Sequence, residues 1–508
     1  MKYLIGIDIG TTGVKTILIN QKGAVVAKSI KEYPLQTPKP GWAEQNPEDW
    51  WQATVASLKE ILTKINPADI AGIGLSGQMH GSVFLDKNNR VLRPCILWCD
   101  QRTTKQCEDI TAKIGAKKLI KLVANPALTG FTAGKVLWVR DNEPALYKKI
   151  RRILLPKDYI RFRLTNTFAT EVSDASGTLF LDVKNRGWSK ELLKKLDIPL
   201  EWLPACSESS EITGEITGAV AKLTGLKAGM PVVGGGGDQA AQAVGTGIVK
   251  MGIISITIGT SGVVFAFSDK PLYDPRGRLH TFCHAVPGKW HVMGVMLAAG
   301  GSLQWFRNNL GQEEITLAKK RAVDPYEILI NNTKSIPPGS EGLVFLPYLC
   351  GERTPHADPD ARGVFFGLTL KHTKAHLTRS VLEGVCFGLR DSLEIIKDMG
   401  ILINEVRVSG GGARSKIWLQ ILADVINYEI ITVEPAEGAA YGVALLAGVG
   451  TGVYQDIYQA CRKSIKITSR LKPNPENVKI YNQRYRVFKS LYVSLKDKFK
   501  LGSLRLLI

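Results

Sequence analysis

The chain has 508 residues, 44% hydrophobic and 22% charged, more than one hydrophobic core ordinarily serves and enough for two. Its formal net charge of +20 is spread along the sequence with no basic run interleaved with aromatics, which disfavours nucleic acid and points to a polyanionic small molecule such as ATP, or to a solvated lysine-rich surface. No uncharged apolar run reaches membrane-spanning length and the eight cysteines form no CxxC pair, so a cytoplasmic protein without leader, disulfide framework or zinc is expected.

Residues 3–33 read as three strands, broken by Gly10-Thr11-Thr12-Gly13 and by Gln21-Lys22-Gly23. The first break joins two apolar runs, and such a hairpin offers backbone N–H groups and two hydroxyls to an anion. A helix over 47–64 follows, with Asn46 as its cap and Pro47 at the first helical position. Residues 70–76 read as a buried strand that runs into Gly77-Gln78-Met79-His80-Gly81, then a short strand over 82–85. Helical segments dominate 102–165. Pro231-Val232-Val233 reads as a strand leading to Gly234-Gly235-Gly236-Gly237-Asp238, and a helix over 239–244 follows.

The second half repeats the alternation. Strands are expected over 253–267, 343–348 and 405–409, helices over 302–309 and 373–399, and Gly410-Gly411-Gly412 opens a helix reaching 427. Tyr481, Tyr485, Phe488, Tyr492 and Leu495 recur at helical spacing, so a C-terminal helix packs an aromatic stripe, with 497–508 expected to fray. The stretch Ile258-Gly259-Thr260-Ser261-Gly262 restates the first hairpin, and alignment of the two puts Thr257 where Asp8 stands. A duplicated phosphate hairpin with one acidic copy predicts a nucleotide held between two related halves, with Asp8 anchoring Mg²⁺ through its waters.

Phosphoryl transfer to a hydroxyl needs a phosphate cradle, a cation and a proton acceptor. Thr11, Thr12 and Gly13 supply donors to a phosphate, and Lys15 a point charge. Asp238 is the candidate base, because four preceding glycines let a ligand approach the backbone closely. The plainer reading of that stretch is a glycine linker with a helix-capping Asp. Met79 offers an apolar wall and His80 hydrogen bonds to a polyol, although a Met-His pair taken alone is more often incidental.

Asp8 to Lys15 lacks the spacing of a Walker P-loop and instead resembles the first phosphate motif of the actin/Hsp70/sugar-kinase superfamily. Phe131-Thr132-Ala133-Gly134-Lys135-Val136-Leu137-Trp138 and Gly363-Val364-Phe365-Phe366-Gly367-Leu368 resemble motifs of the FGGY carbohydrate kinases. Within that family, Ser76 to Gly81, Trp98-Cys99-Asp100-Gln101-Arg102-Thr103 and Gly351-Glu352-Arg353-Thr354-Pro355-His356 resemble segments of xylulokinases. The resemblance runs from residue 3 to about 495.

It implies an α/β fold of two ribonuclease-H-like domains, 1–245 on the sugar and Mg-phosphate side and 246–496 on the nucleotide side, with ATP and sugar in the cleft between them. By the same resemblance Asp238 is the catalytic aspartate and faces the metal with Asp8, while Gln78, Met79, His80, Trp98, Asp100 and Gln239 surround a ketopentose. Nucleotide contacts fall to Thr11, Thr12, Gly13, Lys15, Gly259, Thr260, Gly300, Gln304, Gly412, Ala413 and Lys416. The implied reaction phosphorylates D-xylulose at O5, with sugar, ATP and Mg²⁺ as partners, neither nucleic acid nor membrane, and a homodimer left open. The alternatives are a kinase of another ketopentose or pentitol, and a non-catalytic actin-like ATP switch.

Overall fold

Strands β1 (Tyr3–Ile9), β2 (Gly13–Asn20) and β3 (Val25–Glu32) form an antiparallel meander, as the turn residues predict. This is seen in a computed structural model, which describes residues 1–502. Alternation decides the faces: Ile5, Ile7 and Ile9 point to a core shared with Trp50, Leu58 and Ile61 of helix α1 (Pro47–Leu62). The Asn46 side chain accepts the Glu48 N–H at 3.1 Å and caps that helix as expected.

The strand Ile70–Gly77 lies parallel to β1 and sets Gly74 beside Gly6 and Ser76 beside Asp8. The full order is Ile212–Glu215, Pro231–Val233, Ile70–Gly77, β1, β2, β3, and Gly236–Gly237 pairs with Ser76 and Gly77. Asp8, Ser76 and Gly236 therefore stand in one row across three strands.

The chain divides into two compact units. The first comprises Met1–Lys250, Phe267–His291 and Glu434–Lys466, and the second Met251–Ala266, Val292–Val433 and the residues from Ile467 on. A single boundary at 245 is thus close to the first crossing, but the chain returns to the first unit twice. The second return carries the helix Ala439–Gly450, whose backbone lies directly on the first sheet. A Cβ at Gly6 would be driven into the carbonyl of Ala440, and one at Gly74 into that of Val443. On its other side the helix meets Asp238–Gly245, where a Cβ at Gly442 would collide with the Ala241 carbonyl. Gly442→Ala is therefore expected to cost about 1–3 kcal/mol or more, as overpacking against fixed backbone does, measurable by denaturant unfolding.

In the second sheet, whose central strands Gly252–Ile258 and Ile403–Ser409 belong to the second unit, Trp290–Met296, Gly262–Ser268, Gly252–Ile258, Ile403–Ser409, Ile430–Glu434 and Lys466–Leu471 are neighbours in that order. The register repeats that of the first sheet: Thr257 lies beside Ser409, as Asp8 lies beside Ser76. The long helix Lys374–Asp398 packs under the C-terminal helix Pro475–Gly502. The aromatic stripe there does more than fill space. Tyr481 Oη donates to Glu383 at 2.9 Å and Tyr485 Oη to Asp391 at 2.6 Å, so the rings bury while their hydroxyls partner buried carboxylates.

One expectation differs, and three strands went unread. Helices do dominate 102–165, which also contains the short strand Arg152–Leu154, paired with Val83–Leu85. The strands His280–Cys283 and Trp290–Met296 escape an apolar pattern because buried histidines stand among their residues. Residues 497–502 continue the C-terminal helix instead of fraying, and the remainder of that stretch, 503–508, lies outside the described residues.

Candidate active site

Asp8 stands one residue before the end of β1, with Lys15 opposite on β2 and Ser76 on the other side. Its Oδ1 is buried and has no hydrogen-bond partner among the described residues. Burial pushes its pKa up to about 6, against the pull of Ser76 and Lys15. Asp238, at the start of its helix, is pushed up to about 7 by burial and then by the Asp8 charge, with Gln239 opposing through its backbone and side chain. Two buried carboxyl groups, one of them raised by the other's charge, suit a cation. The donor set fits Mg²⁺, which takes few protein ligands and keeps its waters.

Both groups hold protons to higher pH in the fold than at the ordinary carboxylate value of 3.8. Their contribution to stability is therefore full below about pH 4 and is lost as pH rises through 6 and 7. In the metal-free protein, carboxyl-carbon NMR is expected to show Asp238 titrating near pH 7 and moving down in Asp8→Asn. The same variant should melt higher than the parent at pH 8. An unmoved Asp238 midpoint would show that the two groups do not interact.

The glycine run is shaped by its neighbours. Gly235 has φ +74°, and a Cβ there would strike the backbone of Leu75, while one on Gly237 would lie 3.1 Å from Met79 Sδ. The run thus sets Met79 against the residue before Asp238, so the 77–81 loop and Asp238 are brought together. Behind it, buried Arg161 donates to the carbonyls of Val233 at 2.7 Å and Gly234 at 2.5 Å. The Gly237 N–H donates to Ser173 Oγ at 3.1 Å, and that hydroxyl donates to Glu171 at 3.0 Å.

The other predicted residues of the first unit divide by what their polar atoms already do. Gln78 is buried; it accepts from Thr11 Oγ1 at 3.3 Å and donates to Gln45 Oε1 at 2.9 Å, so it braces the turn. Asp100 is fully buried, with a fork from Arg102 and the Ala43 N–H at 2.7 Å on its oxygens. That carboxylate holds its own loop, and a sugar contact from it is not supported. Lys15 donates to the Glu437 carbonyl at 2.9 Å and pairs with the Glu437 carboxylate, so its charge is shared. Trp98 keeps an exposed indole, anchored by Nε1 donating to Thr11 Oγ1 at 3.0 Å. Thr12 is exposed at the tip of the turn, and Gly13 closes it by accepting from the Gly10 N–H at 3.1 Å.

In the second unit a cavity of about 840 Å³ is lined by Gly259, Thr260, Gly300, Gln304, Gly412 and Lys416 of the predicted set. Ala413 does not line it. Gly300 serves close packing: its N–H donates to the Gly259 carbonyl at 2.7 Å, and a Cβ would lie 2.5 Å from that oxygen. A Cβ on Gly412 would meet Ile258, whereas Gly411, also lining the cavity, faces open space. Sequence reasoning missed Tyr326 and Asn331, which also line the cavity and sit on the helix Pro325–Asn331. Asp324-Pro325 was a readable cap signal for that helix, with the Asp324 side chain accepting the Tyr326 N–H at 2.9 Å. A second groove, of about 620 Å³, opens in the first unit by Lys2 and Ile70, at the far end of the strands from Asp8. None of the candidate site residues lines it.

The family model described as "FGGY family of carbohydrate kinases, N-terminal domain" matches residues 3–245, and the corresponding C-terminal domain matches 254–451. The chain is 41% identical to the xylulose kinase of Bacillus subtilis over 98% of both sequences, and 33% identical to the gluconokinase of the same organism over 98% of this chain and 97% of that one. The solved structure of a xylulose kinase from Rhodospirillum rubrum is similar with a TM-score of 0.90 at 31% identity, covering 98% of this chain and 100% of that one.

Proposed function

Because the chain belongs to the FGGY family of carbohydrate kinases, we propose that it transfers the terminal phosphoryl group of ATP to D-xylulose, at O5, giving D-xylulose 5-phosphate and ADP. The observation that carries this reading is the meeting of Met79 with Gly237, which joins the sugar-type loop to the candidate base within one unit. The same reading assigns the adenosine of ATP to the cavity of the second unit, where Tyr326 is a flat partner for a base.

In this mechanism Asp238 takes the proton of the sugar hydroxyl as the new O–P bond forms and the bond to ADP breaks. A carboxyl poised near pH 7 is more basic than an ordinary one, so it accepts that proton readily while a substantial share of it remains ionised in neutral solution. Thr12 and the turn N–H groups bind the transferred phosphate, and His80 and Met79 orient the sugar. Asp8 and Asp238 would hold Mg²⁺, which when bound neutralises charge on the phosphates.

The test is ADP release measured across xylulose, ribulose, xylitol, arabinitol, gluconate and glycerol. Xylulose should give the highest kcat/KM. Preference for gluconate or a pentitol would overturn the substrate, and ATP turnover indifferent to every sugar would favour the non-catalytic switch.

A further inference from the structure

We propose that Gly177 is a positioning residue for the sugar loop, fixing the tautomer of His80 by its carbonyl and the place of the ring by its missing side chain. The proposal rests on the reading above, in which His80 meets the sugar. His80 has φ +69°, a left-handed backbone that a non-glycine residue adopts at a cost. Its carbonyl is held there by Lys135 Nζ at 2.7 Å and Thr132 Oγ1 at 3.0 Å. The loop is therefore over-determined, and the ring goes where its neighbours allow.

Those neighbours come from distant segments. Phe131 meets the imidazole edge-on at a centroid distance of 4.8 Å, and Phe282 stands 6.2 Å away. The Gly177 carbonyl oxygen lies 2.6 Å from Nδ1. A carbonyl oxygen only accepts, so Nδ1 carries the hydrogen and Nε2 is the acceptor nitrogen of the neutral ring. A hydroxyl that meets Nε2 then donates to it.

A Cβ on Gly177 would lie 2.6 Å from Nδ1, 2.7 Å from Cε1 and 3.0 Å from Met79 Cε. The turn carrying it, Ser176–Thr178, has little room to retreat: Ser176 Oγ donates to Val172 at 2.6 Å and accepts the Cys283 N–H at 3.0 Å. Thr178 Oγ1 donates to the Ala175 carbonyl at 2.6 Å. Gly177 itself does not have positive φ, so alanine suits its backbone and the clash alone is altered.

Gly177→Ala is expected to raise the KM for xylulose about ten- to a hundred-fold, the scale of displacing a contact group by a fraction of an ångström to one ångström, with the KM for ATP within about two-fold. Gly218→Ala, at a helix start with nothing within 4 Å, is the control and should behave as the parent. In a His80→Ala background the Gly177 change should add less than about two-fold, since the ring it displaces is gone. An unchanged xylulose KM in folded Gly177→Ala, or a full effect persisting without the His80 ring, would overturn the proposal. Imidazole ¹⁵N NMR of the unaltered protein tests it even where the variant does not fold: the Nδ1–H tautomer is expected, and an Nε2–H tautomer would overturn it. A parent enzyme inert toward xylulose but showing the Nδ1–H tautomer would refute the proposed function while leaving the hold of Gly177 on His80 standing.

Discussion

Asp238→Asn is expected to lower kcat by roughly 10²–10⁴-fold, the range for loss of a general base, with both KM values within about three-fold of the parent. The structure gives a reason to expect a clean result. The loop before Asp238 is held by Arg161 on two carbonyls and by Ser173 on the Gly237 N–H, none of which involves the Asp238 carboxylate. Asn keeps the shape of the side chain and removes its basicity, and it also removes one member of a mutually repelling pair. The folded variant should accordingly be at least as stable as the parent at neutral pH. Steady-state kinetics beside thermal melts decide the matter, and near-parental turnover would remove Asp238 from the mechanism.

The second large effect is expected at Asp8. Asp8→Thr makes the first hairpin chemically like the second, in which Thr257 pairs with Ser409 Oγ at 3.1 Å and faces Val263 across the strand pair. A threonine at position 8 finds Ser76 in the matching place, so the turn should fold without strain. Turnover should nevertheless fall by about 10²-fold or more, with a strongly increased Mg²⁺ requirement, since a preorganised charge at the phosphates is lost. The reciprocal Thr257→Asp should create no second site, because Val263 stands where Lys15 faces Asp8. A Mg²⁺ titration of kcat reads both variants. A folded Asp8→Thr enzyme with an unaltered Mg²⁺ profile would show that the metal is held elsewhere.

The asymmetry between Asp8 and Thr257 was legible in the amino-acid order, because strands alternate with a period of two and Gly-Thr turns announce themselves locally. The helix caps at Asn46 and the aromatic stripe of the last helix were legible for the same reason. A candidate was readable where the argument for it runs through immediate neighbours, as for Asp238 after its glycines. It was not readable where the role depends on a partner far along the chain. Asp100 looked available until Arg102 and Ala43 were seen to fill its oxygens, and Gln78 until Thr11 and Gln45 did. Lys15 meets Glu437, a residue 422 positions away.

By itself, then, the sequence determined the two hairpins, the single acidic copy, the base candidate and the family resemblance, all of them properties of short stretches read in order. Tertiary structure decided which polar groups remain for a ligand, why Gly6, Gly74, Gly300 and Gly442 are glycines, and that the helix Ala439–Gly450 closes the first unit and not the second. The reason is that a hydrogen bond or a backbone contact is made by atoms a few ångströms apart whatever their separation in the chain, and local periodicity carries no record of that distance. Gly177 shows the difference: an unremarked glycine in the sequence, it faces His80 across 97 residues at 2.6 Å.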